Sequence, residues 1–521
     1  MLNLAAVLEH SAKEVPGKTA LVFGDKRYTY EQVNAVANQV ANGLAAAGIT
    51  KGDKVALSCP NLPYFPMIYY GILKAGAAVV PLNVLLKGRE IAYHLKDSEA
   101  KAYFCFQGTP ELPMAQEGWA GFKEVEGCLH FWVVTADPAA ASPIEGTMTF
   151  GQLTGKQPPT FDTVVTQFED TAVILYTSGT TGFPKGAELS HANMTLNAIA
   201  TRDIIQMQAE DVHVLVLPLF HSFGQTCQMN AGFSIGNTLV LIPRFTPDAV
   251  LSAMQEEKVT IFVGVPTMYW ALLAYEDKEN RFDIKAIADT LRIGVSGASS
   301  LPLEIIKGIE VKYSIPIMEG YGLSETCPVA TFNHLHKERK PGSVGTPIWG
   351  VEVKIFDKEN AEVGVGDVGE IVIRGHNVMK GYYNKPEATA DAFNGTSWFH
   401  TGDLGRKDED GYVYIVDRVK DMIIRGGFNV YPREIEEVLM THPAVSLASV
   451  IGVSHDQHGE EIKAYIVLKD GQQTTEGDIR AWAKDQMAAY KYPRIVEIRD
   501  ALPMTATGKI LKKDLKAESV G

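Results

Sequence analysis

TAVILYTSGTTGFPKGAELSH, residues 171–191, carries an apolar run into a loop of glycine, hydroxyl and lysine before a second short strand, GAEL, begins. Gly179, Gly182 and Gly186 permit positive φ and let the backbone approach a ligand closely. Thr177, Ser178, Thr180 and Thr181 supply hydroxyls, and Lys185 supplies a cation. Hydroxyls, exposed amides and one ammonium together suit the wrapping of phosphate oxygens. The spacing is not that of a Walker loop, since no Gly-Lys-Ser/Thr closes it, and a strand rather than a helix follows. A P-loop NTPase fold is therefore disfavoured.

Outward from this loop the chain alternates helix and strand. YEQVNAVANQVANGLAAAG, residues 30–48, has helical spacing and ends in Gly, and KGDKVALSCP reads as a turn and a buried strand. The same alternation returns in MIYYGILKAGAAVVPLN, in VLSAMQEEKVTIFVGVP and towards IGVSGASS. An α/β fold of mixed, mostly parallel sheets covered by helices follows. Beyond Pro341 short segments bounded by Gly or Asp, VEVKIFD, GEIVIRG and GYVYIVDR, predict an antiparallel, β-barrel-like subdomain over about 341–419. From residue 420 mixed patterns resume, with REIEEVLMTHP as a helix and KAYIVLKD as a strand. The expected division is a large domain over 1–419 and a small α+β domain over 420–521.

Composition sets limits. With 521 residues, 46% hydrophobic and 21% charged, the chain has apolar surface for more than one core. A net charge of −14 leaves no broad basic face for nucleic acid or anionic headgroups, so phosphates must be held by local donors. The five cysteines lack metal-ligand spacing and read as reduced thiols. No signal-peptide pattern or spanning stretch is present, which points to the cytoplasm and excludes an integral membrane segment. Peripheral membrane contact and a homodimer are compatible with the sequence.

YTSGTTGFPKG resembles the signature loop of the adenylate-forming superfamily, which includes acyl-CoA synthetases, peptide-synthetase adenylation domains and beetle luciferases. Further motifs keep the superfamily's order: PLFHSFG at 218–224, GVSGASS at 294–300, YGLSET at 321–326, TGD at 401–403, DRVKDMIIRGGFNVYPREIE at 417–436 and PMTATGK at 503–509. The pattern is most similar to bacterial long-chain fatty-acyl-CoA ligases. The resemblance implies an ATP site of Thr177, Ser178, Gly179, Thr180, Thr181, Gly182 and Lys185. To these it adds Glu319, Gly320, Tyr321, Gly322 and Ser324. Gly297, Ala298 and Ser299 would line the purine edge, and Tyr321 would lie against the adenine. Ser324 stands where Thr is commoner. Asp403 would accept the ribose hydroxyls with Arg418 beside it, and Glu325 with Thr177 would help hold Mg²⁺.

Lys509 matches the adenylation lysine, delivered by a mobile C-terminal domain that hinges at Lys420. Gly426, Gly427 and Phe428 would border the CoA pantetheine after rotation. His221 would sit beside the substrate carboxylate or the pantetheine entrance. Phe220, Gly264, Val265, Pro266, Gly294 and Gly297 would line an uncharged acyl pocket, its glycines leaving depth for an alkyl chain. The expected reaction joins a medium- or long-chain fatty acid to CoA with ATP. An aryl-acid CoA ligase is the alternative, and a luciferase-like oxygenase or an inactive binding protein fits less well.

Overall fold

The computed structural model describes residues 2–177, 183–299, 301–455, 457–505 and 509–519. Two large sheets form most of the first 350 residues. In one, the strands Thr19–Phe23, Thr238–Leu241, Val212–Leu215, Ile261–Gly264, Ile293–Ser296 and Ile317–Gly322 run parallel in that spatial order. Antiparallel strands close both of its edges. In the other, Thr171–Thr177, Ala78–Pro81, Lys54–Ser58, Ala100–Phe106 and His130–Val134 are parallel neighbours. Lys185–Ser190 turns back antiparallel on Thr171–Thr177, as the strand after the phosphate loop predicts.

Near-continuous burial along these strands, all four residues of Ile261–Gly264 and of Ile293–Ser296 for example, marks sheets covered on both faces. Their helices carry the expected local signals. Tyr30–Ala46 begins at a capping box, Thr29 accepting from the Gln32 amide, and Pro247–Glu256 begins at a Thr246 cap with Pro at its first position.

Val351–Phe356, Gly369–Gly375, Phe399–Lys407 and Val413–Arg418 form an antiparallel four-stranded sheet. The next strand, Ile423–Arg425, belongs to a different sheet with Phe428–Val430, Val445–His455, Gly459–Leu468 and Ile495–Ile498. Helices Pro432–Leu439 and Glu476–Gln486 help give this last sheet its own core, in which Ile435, Leu439, Val450, Ile462 and Ile479 are packed together. Lys420 lies in the stretch that crosses between the two. All five cysteines are buried and free. Among the described residues no helix is long and apolar enough to cross a membrane.

Candidate active site

The parallel strands aim their carboxyl ends at one region, the place where open α/β sheets bind ligands. Thr171–Thr177 ends at the phosphate loop, Ile293–Ser296 at Gly297-Ala298-Ser299, and Ile317–Gly322 at the SET turn of Ser324–Thr326. Val212–Leu215 leads through Pro218 to His221. Ser178, Gly179, Thr180, Thr181 and Gly182 lie outside the described residues. The flanks of their loop are fixed, because Thr177 and Lys185 are cross-strand partners.

Glu325 is only 8% exposed, and its Oε1 accepts from Thr177 Oγ1 at 3.2 Å and from the Tyr382 hydroxyl at 3.0 Å. The Lys185 ammonium stands 4.2 Å over the ring of the same Tyr382. Tyr382, on a short strand paired with Lys185–Ser190, is a site residue that the sequence reading missed. Burial first, then the Glu325 charge, holds its phenol protonated far above the ordinary range. A carboxylate and a hydroxyl converging beside a phosphate-type loop are hard oxygen donors of the kind Mg²⁺ takes. Among the described residues no group of three or more His, Cys, Asp or Glu is arranged to hold a metal by itself. The donor set therefore fits an ion that draws its remaining ligands from phosphate and water.

Asp403 and Arg418 face each other across Phe399–Lys407 and Val413–Arg418. The Arg418 Nε donates to Asp403 Oδ1 at 2.8 Å, and the Tyr321 hydroxyl donates to Oδ2 at 2.7 Å. Each carboxylate oxygen retains acceptor capacity beyond these bonds, so a diol remains a possible partner for Asp403. Gly322 has no alternative: a Cβ there would stand 1.6 Å from the Pro328 carbonyl oxygen. The Phe223 ring lies so close over Gly297 that a Cβ would meet it at 2.9 Å, and Ala298 adopts a left-handed φ of 69°.

Lys509 comes from the C-terminal sheet's unit, yet it reaches this cluster. Lys509 is exposed, with protein from both units around it. Desolvation first, then the cations of Arg418 and Lys420, lowers its pKa to about 8 against the opposing pull of Asp403 and Asp421. The same ammonium adds to the burial that pushes His221 down to about 4, which places His221 within its field. The His221 Nδ1 accepts from the Phe223 amide at 3.3 Å. A neutral imidazole whose Nδ1 accepts carries its proton on Nε2, so His221 offers a donor there. The helix it leads into, Phe223–Asn230, is a π-helix, a form concentrated at functional sites.

The depth expected at two pocket glycines is taken up on their Cβ side by the protein's own residues. A Cβ at Gly294 would lie 2.4 Å from Ile317 Cδ1 and 3.0 Å from the Tyr269 hydroxyl, and one at Gly264 would lie 3.0 Å from the Phe262 ring. The space these glycines vacate is filled by the protein's own core and gives no depth for an acyl chain. Val265 and Pro266 open the helix Pro266–Ala274 just beyond, and Phe220 packs partly buried against the main core. Gly426 and Gly427, with φ of 57° and 83°, turn beside His458, while exposed Phe428 stacks on Tyr490 at 4.9 Å. In this arrangement Gly426 and Phe428 contact their own unit, and nothing lies within 4 Å of where a Cβ at Gly427 would stand.

The chain matches the model of the AMP-binding enzyme family over residues 8–383 and that of the AMP-binding enzyme C-terminal domain over 434–509. It belongs to the AMP-binding enzyme family. It is similar to a long-chain-fatty-acid–CoA ligase of Bacillus subtilis, 35% identical over 99% of this chain and 94% of that protein. A feruloyl-CoA synthase of an Amycolatopsis species is likewise 35% identical, over 97% and 96%. Among solved structures, ATP-bound MatB from Rhodopseudomonas palustris superposes with a TM-score of 0.89 at 31% identity, over 99% of both chains. As a member of this AMP-binding enzyme family the protein is an acid–thiol ligase of the adenylate-forming kind.

Proposed function

We propose that the protein converts a medium- or long-chain fatty acid, ATP and CoA into acyl-CoA, AMP and pyrophosphate. The observation that carries the adenylation chemistry is the set Tyr321–Asp403–Arg418 together with the Glu325–Thr177 pair at the loop's flank, with the Lys509 charge felt by Arg418, Asp403 and His221. In the first step a carboxylate oxygen of the acid forms a bond to the α-phosphorus, and the bond to pyrophosphate breaks. The acid is already ionised at neutral pH, so no base is needed. The requirement is neutralisation of gathering negative charge by preorganised groups. Lys509 meets it at the α-phosphate and carboxylate, and Lys185 with the loop hydroxyls of Thr177–Thr181 meets it along the triphosphate. Glu325 and Thr177 would hold Mg²⁺, which supplies further neutralisation of phosphate oxygens when bound. Asp403 accepts the ribose hydroxyls, and Tyr321 borders the purine beside Gly297–Ser299.

In the second step the CoA sulfur bonds to the acyl carbon, the carbon–oxygen bond to AMP breaks, and the thiol proton passes to solvent. While Lys509 stands beside it, His221 is neutral and protonated on Nε2, and it donates to the substrate carboxylate or carbonyl oxygen. The C-terminal unit turns about Lys420 between the steps. That turn withdraws Lys509 and brings Gly426 and Gly427 to the acyl-adenylate, where side chains would obstruct pantetheine.

The absence of charge at Phe220, Phe223, Val265 and Gly297 supports an uncharged tail. An aryl acid is the second reading, favoured by the feruloyl-CoA synthase relative. The test follows AMP release with acids from acetate to palmitate, plus benzoate and coumarate. A maximum among the longer alkanoates supports the proposal, and a maximum at coumarate or benzoate overturns it in favour of the aryl reading.

A further inference from the structure

Arg433 begins the helix Pro432–Leu439, which packs into the core of the C-terminal unit. Its Nη1 and backbone amide point the other way. The Nη1 donates to the Ile415 carbonyl oxygen at 2.7 Å, and its backbone amide donates to Asp417 Oδ2 at 3.0 Å. Ile415 and Asp417 both lie on Val413–Arg418, ahead of the crossing at Lys420. The Nε donates to Glu437 on its own helix at 3.0 Å.

The Arg433 charge is also felt at Glu319, an 8% exposed carboxyl on Ile317–Gly322, the strand that ends in the Tyr321 motif. Burial, helped by Glu437, outweighs the Leu301 amide bond at 3.1 Å and the Arg433 charge and leaves Glu319 raised to about 7. Asp417 in turn accepts from the Arg418 amide at 2.7 Å, and Arg418 holds Asp403. A chain of hydrogen bonds thus runs from Arg433 to the ribose carboxylate. Each of its cross-unit links must break if the C-terminal unit turns about Lys420.

We infer that Arg433 is a positioning residue for adenylation: it latches the C-terminal unit in the arrangement that presents Lys509, through its bonds to Ile415 and Asp417. This rests on the domain rotation proposed above. Arginine suits the task because its fork can serve the Ile415 carbonyl and Glu437 together while keeping its charge towards Glu319. The latch is made in one arrangement only, so its loss should affect one half-reaction.

The experiment compares full-length Arg433→Leu and Arg433→Lys with the parent and with Lys509→Ala. Two readouts are taken: acid-dependent ATP–pyrophosphate exchange, and single-turnover thioester formation from presynthesised acyl-adenylate and CoA. Arg433→Leu should lose about tenfold or more in exchange, as expected for a half-buried charged hydrogen bond. Thioester formation should be unchanged or faster, which also reports that the chain is folded. Arg433→Lys should recover part of the exchange, because its ammonium can still donate towards the Ile415 carbonyl. If Arg433→Leu does not fold, Arg433→Gln is judged by the same criteria.

Equal loss in both reactions, or no loss in exchange, overturns the inference when Lys509→Ala still separates the two. If Lys509→Ala itself fails to separate them, the rotation has failed, and the latch falls with it.

Discussion

The lowered pKa of Lys509 gives adenylation a basic limit that an ordinary lysine would not. At a pKa of about 8 the ammonium is about nine-tenths charged at pH 7, half charged at pH 8 and about one-tenth charged at pH 9. Because the charged form does the work, kcat/KM for ATP in pyrophosphate exchange should fall roughly tenfold from pH 7 to pH 9. The direction is fixed by desolvation, helped by Arg418 and Lys420, which outweighs Asp403 and Asp421. Bound ATP adds negative charge beside the ammonium, so the limb in kcat should lie at higher pH than the limb in kcat/KM.

Lys509→Arg puts a group there that stays charged throughout this range, and the limb should vanish. Lys509→Ala should cost about 10²-fold or more, as for other preorganised charge stabilisers, and leave a profile flat across the same interval. Exchange is measured without CoA, which keeps the thiol's own titration out of the result. A basic limb that persists near pH 8 in Lys509→Arg would refute the reasoning.

Glu325→Gln keeps the hydrogen bonds from Thr177 and Tyr382 available but removes the charge. The Mg²⁺ concentration for half-maximal exchange should rise about tenfold, read by titration at saturating ATP. Gly294→Ala forces a methyl against Ile317 and Tyr269. It should cost about 1–3 kcal/mol of stability in a denaturant melt while leaving the KM for ATP unchanged.

Residues close in sequence were legible as a site wherever a strand and the loop after it carry the chemistry together. Thr177 with its phosphate loop, Gly297–Ser299 and Tyr321–Glu325 each follow a buried strand, so the α/β pattern places them at one sheet end. Asp403 and Arg418 are fifteen residues apart, and the antiparallel pairing that brings them opposite one another follows from alternation in two adjacent strands. Tyr382 and Arg433 were not legible, because each meets its partners through pairings that no local periodicity encodes. Tyr382 reaches Glu325 across 57 positions.

The glycines at 264 and 294 misled for a related reason. A missing Cβ shows that something comes close, and only packing shows that this something is Tyr269, Phe262 or Ile317 rather than a ligand. The role of His221 was narrowed by geometry as well. The Phe223 amide fixes its tautomer, and burial with the Lys509 charge keeps it neutral in this arrangement.

The central claim is that the acid's own carboxylate oxygen attacks the α-phosphorus of ATP. A single turnover with palmitate labelled with ¹⁸O in both carboxyl oxygens, followed by mass spectrometry of the products, tests it directly. One labelled oxygen should appear in AMP and the other should stay in the thioester carbonyl. Unlabelled AMP beside newly formed acyl-CoA, or label appearing in released phosphate instead, would contradict the account.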